Sequence, residues 1–294
     1  MKYSIIIFAM VLAILSGGCK KKPAEIAITP DIEKNHLQRN HIFGDVKCIE
    51  TETFYLAEDS LTASDTNQLA KLLKKRNADV STHQLYSSDG FLLKFYKYGP
   101  DKVPVMHRIY RYDSEARPNN WDEYDSTNQT TATGLYLYNR NHFLIGEQIF
   151  HGDSIAMAFS YTNDGIGNII NSTQSYGDCI THTEYKYNVY GLVERIIEYE
   201  PNGKVFKTVK IEYDNYGDEV NRCVYKAGNQ MIEYTYNEYN QEGRQLKTIY
   251  EDKIHHIKEF NYYSNFDNQN NWQREIKVVD NQIVSVRNRK LIYY

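Results

Sequence analysis

Few residues in this chain have the type and spacing to do chemistry. Asp113, Asn139, Asn188, Asp214 and Asn237 form a recurring column of carboxylates and amides. Such a row could bind Ca²⁺, but only Asp113 and Asp214 are charged, and Asp or Asn before a glycine is the ordinary chemistry of a turn. His255-His256 is the one adjacent histidine pair; on a strand its rings would point to opposite faces and share no metal. The spacing of His36 and His41 fits neither a helix face nor a strand face. Beyond Cys19 stand Cys48, Cys179 and Cys223, an odd set that closes no disulfide framework. Cys179 and Cys223 fall on strands that are not neighbours, so buried free thiols are expected, and no Cys/His spacing suggests zinc. Nucleophile elbows, phosphate-binding loops and dinucleotide-binding glycine patterns are absent from the sequence. Carboxylates are plentiful, but their spacing selects no pair. The residues therefore predict no catalytic site, no cofactor and no metal.

The first residues carry a different chemistry. MKYSIIIFAMVLAILSGGCKKK places Lys2 before an uncharged run from Ser4 to Leu15. A helix needs roughly 20 apolar residues to cross a bilayer, so this run reads as a secretory signal rather than a span. Ser16, Gly17 and Gly18 lead into Cys19, a pattern that resembles the lipobox of bacterial lipoproteins, although Leu15 lies four residues before the cysteine instead of three. The resemblance implies loss of residues 1–18 and lipidation of Cys19. Lys20, Lys21 and Lys22 follow at the membrane surface, and residues 19–40, with Pro23 and Pro30, read as a tether. The net charge of −4 and the lack of a basic stripe exclude nucleic acid as an expected partner.

Those tethered residues lead to a repeat. Tyr-[Asp/Asn]-x-x-Gly slides along the chain to align Tyr86, Tyr112, Tyr138, Tyr161, Tyr187, Tyr213, Tyr236 and Tyr262, at intervals of 26 or 23 residues. Fixed self-similarity of this length marks a repeat architecture. Large apolar residues stand two positions earlier, at Tyr110, Tyr136, Phe159, Tyr185, Ile211, Tyr234 and Phe260, and a spacing of two is the period of a strand. Ala116, His142 and Asn240 occupy the glycine slot in three copies. Halfway through each unit lies a second turn, as at Pro201-Asn202-Gly203, the strongest short hairpin signal. A second aromatic column, Tyr98, Tyr124, Phe150, Tyr199 and Tyr225, is interrupted at Thr173 and Thr248. Stacking of such columns accounts for the 27 tyrosines as cross-strand glue.

Each unit is thus one β-hairpin. The expected fold is all-β, a long antiparallel meander of about 17 strands with one short inserted helix. Twisted open sheets seldom exceed about ten strands without curling, so an open spiral or half-shell is predicted. Residues 41–79 are expected to form a cap strand, Val46 to Tyr55, followed by a helical insertion near Asn67 to Arg76. Residues 80–294 form the repeat domain, ending in a strand over residues 289–294.

Tyr-[Asp/Asn]-x-x-Gly at this spacing resembles the YD, or RHS-type, repeats of bacterial surface and toxin proteins, over about residues 80–294. The copies at Tyr187 and Tyr213 match best. The resemblance implies stacked hairpins, but this chain has too few units for the toxin-enclosing shells of the large members. Its leader and short array look similar to lipoproteins of Bacteroidetes-type bacteria. The expectation is a non-enzymatic lipoprotein whose sheet is a binding or structural surface. Lys20 stands after Cys19 where an aspartate would resemble an inner-membrane retention signal, which favours the outer membrane, and the absence of the acidic run that resembles a surface-export signal slightly favours its periplasmic face. Its partners would be the bilayer and a protein or glycan ligand. An immunity-type protein that neutralises a secreted toxin and a carbohydrate-active enzyme are the alternatives.

Overall fold

The computed structural model describes residues 37, 42–56, 61–62 and 64–294. Cys19, the leader, most of the tether and the His36/His41 pair lie outside these residues. The described chain holds eighteen strands: β1 (Val46–Tyr55), β2 (Val80–Tyr86), β3 (Leu92–Tyr98), β4 (Pro104–Tyr112), β5 (Pro118–Asp125) and β6 (Thr130–Tyr138). They continue through β7 (Leu144–His151), β8 (Ser154–Asn163), β9 (Ile169–Tyr176), β10 (Cys179–Tyr187), β11 (Val193–Tyr199) and β12 (Val205–Tyr213). The last are β13 (Glu219–Lys226), β14 (Gln230–Tyr239), β15 (Gln245–Asp252), β16 (Ile257–Ser264), β17 (Arg274–Val279) and β18 (Gln282–Tyr293). One helix, α1 (Thr66–Leu73), lies between β1 and β2.

Every strand pairs antiparallel with its neighbours in sequence, and β1 pairs with both β2 and β18. This corrects the expected spiral. The strand read as a cap is the keystone of a closed barrel. An open meander would leave two rows of unpaired backbone N–H and C=O groups, and closure removes both edges. At about 4.8 Å per strand the wall is about 85 Å around.

The curvature comes from bulges at fixed repeat positions. At one rim the register shifts at Leu85/Tyr86, Arg111/Tyr112, Leu137/Tyr138, Lys186/Tyr187 and Glu212/Tyr213. At the opposite rim it shifts at Lys97/Tyr98, Glu123/Tyr124, Ile149/Phe150, Glu198/Tyr199 and Val224/Tyr225. A bulge bends its strand and adds twist. The aromatic residues at these ten positions, five from each column read from the sequence, therefore mark where the sheet is bent.

Strand periodicity sorts the side chains onto two faces. The packed face carries Ile196, Val209 and Val224 directly opposite one another on β11, β12 and β13, all buried and joined by Val193 and Ile211. Closure crowds side chains on the concave side, so this face lines the inside. Near the seam, Leu37 and Ile42 pack with Ile49, Tyr86, Leu92 and Leu291. Helix α1 covers the opposite face: Leu69 joins Phe54, Val286, Val278 and Ile283 in a separate core on the outside of the wall.

Candidate functional site

The Asp/Asn column is committed to its own backbone. Asp113 Oδ1 accepts the N–H groups of Glu115 and Arg117 at 2.9 and 3.0 Å. Asn139, Asp164, Asn188, Asp214, Asn240 and Asp267 make the same pair of bonds to residues two and four further on. The residue three positions on has a positive φ, as at Gly191 (75°) and Gly217 (83°), and Ala116 and His142 adopt it at 61° and 66°. This is the type I turn with a left-handed closing residue that suits three-residue hairpin loops. Three positions need correction. Asn240, not Asn237, holds the turn, with Gly243 in the glycine slot, and Asp164 and Asp267 belong to the column although the sequence alignment passed over them. Among the described residues, no group of three or more His, Cys, Asp or Glu could hold a metal ion.

The same correction applies to the tyrosines. Strand β8 ends at Asn163 and β14 at Tyr239, each with the rim bulge, so these residues fill the slots assigned to Tyr161 and Tyr236. Tyr262 likewise lies inside β16, which ends at Ser264. The hydroxyls of Tyr112, Tyr138, Tyr187, Tyr213 and Tyr239 donate to the carbonyls of Leu92, Pro118, Ile169, Val193 and Glu219 at 2.7–3.2 Å. Each bond ties a turn to the turn of the preceding unit. The column is glue by geometry.

Cysteines and histidines are dispersed. Cys48 is buried, Cys223 half-buried and Cys179 exposed. The expectation of buried thiols holds for Cys48 and fails at Cys179, which starts β10 at a hairpin rim. His255 and His256 sit in the β15–β16 turn, not on a strand, with His255 Nδ1 2.7 Å from Asp252.

The inner wall carries charge in pairs. Arg108 meets Glu123 at 2.6 Å while its guanidinium lies 4.0 Å from the Trp121 ring centroid. Trp121 lies over Gly134, where an added Cβ would fall 2.1 Å from the indole, and its Nε1–H donates to Glu147 at 3.3 Å. Burial pushes the Glu147 carboxyl up, against the pull of the Trp121 hydrogen bond and Arg108. Farther round, Lys207 pairs with Glu198 at 3.1 Å and Arg287 with Glu275 at 3.2 Å. Partnered charges of this kind specify packing.

A groove of about 520 Å³ opens where the barrel closes. Its walls are two rows of side chains on the outer face, set by register. Asn288, Glu52, Ser81 and Tyr98 lie opposite one another across β18, β1, β2 and β3; one step along the strands lie Lys290, Glu50, His83 and Tyr96. Lys102, from the β3–β4 turn, stands at one end. His83 and Tyr98 meet at 4.9 Å with rings tilted by 55°. From there the aromatic row continues: Tyr96 stacks on His107 at 5.5 Å and His107 on Tyr124 at 4.7 Å. No sequence motif announced this groove, because Glu50 and Lys290 are 240 positions apart. Only closure brings them together.

The chain matches no family model and no curated protein. Among solved structures it is similar to a porin-like protein from Bacteroides uniformis ATCC 8492, at 12% identity and a TM-score of 0.45, covering 85% of this chain and 98% of that one. A porin-like protein from Bacteroides vulgatus ATCC 8482 is similar at 10% identity and a TM-score of 0.31, with the same coverage. A chain of the Photorhabdus luminescens Tc holotoxin pore is similar at 11% identity and a TM-score of 0.36, covering 69% of this chain. The present chain spans 14% of the length of that toxin chain.

Proposed function

We propose that this chain is a non-enzymatic lipoprotein of the cell envelope, held at the periplasmic face of the outer membrane through acylated Cys19, with its barrel standing in water as a binding surface. The observation that carries this reading is the charge on both faces of the sheet. The outer face presents Arg111 with Asp122, Glu184 with Lys186, Lys210, Glu212, and Glu251 with Lys258. The inner face holds the Arg108, Glu198 and Glu275 pairs. A membrane-spanning barrel needs an uninterrupted apolar band facing lipid, where a midplane Lys or Arg costs about 2–4 kcal/mol. Neither face supplies one. No helix among the described residues is long and apolar enough to cross a membrane; in this reading the leader and its cysteine make the attachment. One acyl chain binds only marginally, and two or more hold firmly.

The test is mass spectrometry of the membrane fraction with a Cys19→Ser variant. The expected result is a diacyl or triacyl Cys19 in the wild type and release of the variant into the periplasmic fraction. An unmodified Cys19, or an intact Met1, overturns the reading.

A further inference from the structure

We propose that the seam groove is a binding site for a short neutral saccharide. This deepens the envelope reading, on which the biological setting of the ligand rests, and it stands on the groove's own chemistry. Its volume of about 520 Å³ is that of a small-molecule site, but its lining is mostly polar and open to water, so any ligand must be hydroxylated rather than apolar.

The polar groups here are placed and unspent. Ser81 is only 8% exposed, and among the described residues its hydroxyl has no hydrogen-bond partner. The same holds for the Glu52 carboxylate, the His83 imidazole, the Tyr98 hydroxyl and the Lys102 ammonium. Asn288 spends its Oδ1 on Arg274 at 3.0 Å, which leaves its amide nitrogen to the groove. Elsewhere on this wall, polar side chains find each other across strands, as Asn221 does Glu212 at 2.8 Å and Arg111 does Asp122 at 2.6 Å. At the seam one such pair forms, Lys290 with Glu50 at 3.4 Å, and the neighbouring row of Glu52, Ser81 and Tyr98 stays open.

The chemistry selects the ligand class. Glu50 and Glu52 balance Lys102 and Lys290, and Arg289, the remaining cation of the lining, holds its guanidinium on the Trp272 ring and carbonyl, so the groove has little net field to hold a polyanion or a polycation. Three metal-ligating side chains do not converge there. An apolar ligand would strand the Glu52 carboxylate and the Ser81 hydroxyl without water, at a cost for each buried group. A sugar fits both parts of the surface. Its hydroxyls each donate and accept, matching a carboxylate, a hydroxyl, an amide and an imidazole in one patch, and its C–H face packs against the His83 and Tyr98 rings. Ligands with fixed hydroxyl positions suit groups held at strand spacing, because the register of β18, β1, β2 and β3 sets their separation before the ligand arrives.

The experiment is saturation-transfer NMR and calorimetry on the mature barrel with maltotriose, cellotriose and N,N′-diacetylchitobiose at millimolar concentration, beside inositol hexakisphosphate. Binding of at least one neutral sugar is expected, weakened at least tenfold by Glu52→Gln and by Tyr98→Leu. Glu212→Gln, on the same outer face at β12, should leave it unchanged. The two groove variants test the site separately, and retained melting temperature shows that each has folded. No transfer to any of the three sugars overturns the proposal, as does binding that both variants leave intact. Preference for the hexakisphosphate overturns it too. Release of reducing ends during the titration would support the site while overturning the non-enzymatic reading, and failure to bind with Cys19 acylated would leave the envelope reading standing.

Discussion

The hydroxyl of Tyr213, at the end of β12, donates to the carbonyl of Val193, at the start of β11, at 2.8 Å across 20 residues of chain. The bulge at Tyr213 turns the ring back over the preceding hairpin, where it packs with Val193, Ile196 and Val209. Two terms follow from that placement. Tyr213→Phe removes the hydrogen bond alone and should cost about 1 kcal/mol. Tyr213→Ala also removes the packed ring and should cost about 3 kcal/mol. Chemical denaturation separates the two, and hydrogen exchange should loosen chiefly in β10 to β14, since repeat units couple mainly to their neighbours.

Gly134 supplies a second test. A Cβ there would lie 2.1 Å from the Trp121 ring, and the indole is held from the other side by Arg108 at 4.0 Å. Gly134→Ala should therefore displace the indole rather than fit beneath it, at about 1–3 kcal/mol. The chain has two tryptophans; a Trp272→Phe background isolates the emission of Trp121, which should shift to the red. An unchanged spectrum with unchanged stability would contradict the stacked arrangement.

Asp218 predicts a pH dependence. Burial, and then the negative charge of Asp214, push its carboxyl up to about 6. The unfolded chain releases this proton near pH 4, so the folded state binds more protons between about pH 4 and 6. The contribution of this group to stability is complete below that window and is lost as pH rises through 6. Asp218→Asn should flatten the corresponding slope and stabilise the protein at pH 7 by roughly 2 kcal/mol. Melting curves at pH 4, 6 and 7.5 check the sign.

The thiols should react in order of exposure. Cys179 is exposed and Cys48 buried, and burial further raises the Cys48 thiol, as does the nearby Glu50 charge. Since the thiolate is the reactive form, a thiol reagent should label Cys179 at once, half-buried Cys223 more slowly, and Cys48 only on unfolding. Peptide mapping after timed labelling reads the order directly.

The hairpin period and both turns were legible in the residues because turns are local. Asp214-Asn-Tyr-Gly217 closes a turn by bonds to its own backbone, and any copy of that string will do so. The alignment slipped where Asn163 replaced a tyrosine and where Tyr236 and Tyr239 competed for one slot. In each case the bulge, a property of two paired strands, decides the register. Closure was hidden for a different reason. It depends on β1 finding β18 along nine residue pairs, and neither Val46–Tyr55 nor Gln282–Tyr293 carries a mark of its partner. The groove, being a product of closure, was hidden with it.

That seam also sets the order of events as the chain is made. The first strand synthesised completes the wall only when the last one arrives, and the Tyr294 N–H then bonds the Asp45 carbonyl at 3.0 Å. Until then one margin of β1 remains an open template for other chains, the condition in which sheets aggregate. Ring closure between such distant segments is a slow step, so the unfinished barrel is the form most open to aggregation. A chain that lost its final dozen residues would not yield a slightly smaller barrel. It would remain an unsealed strip, with the margins of β1 and β17 both exposed.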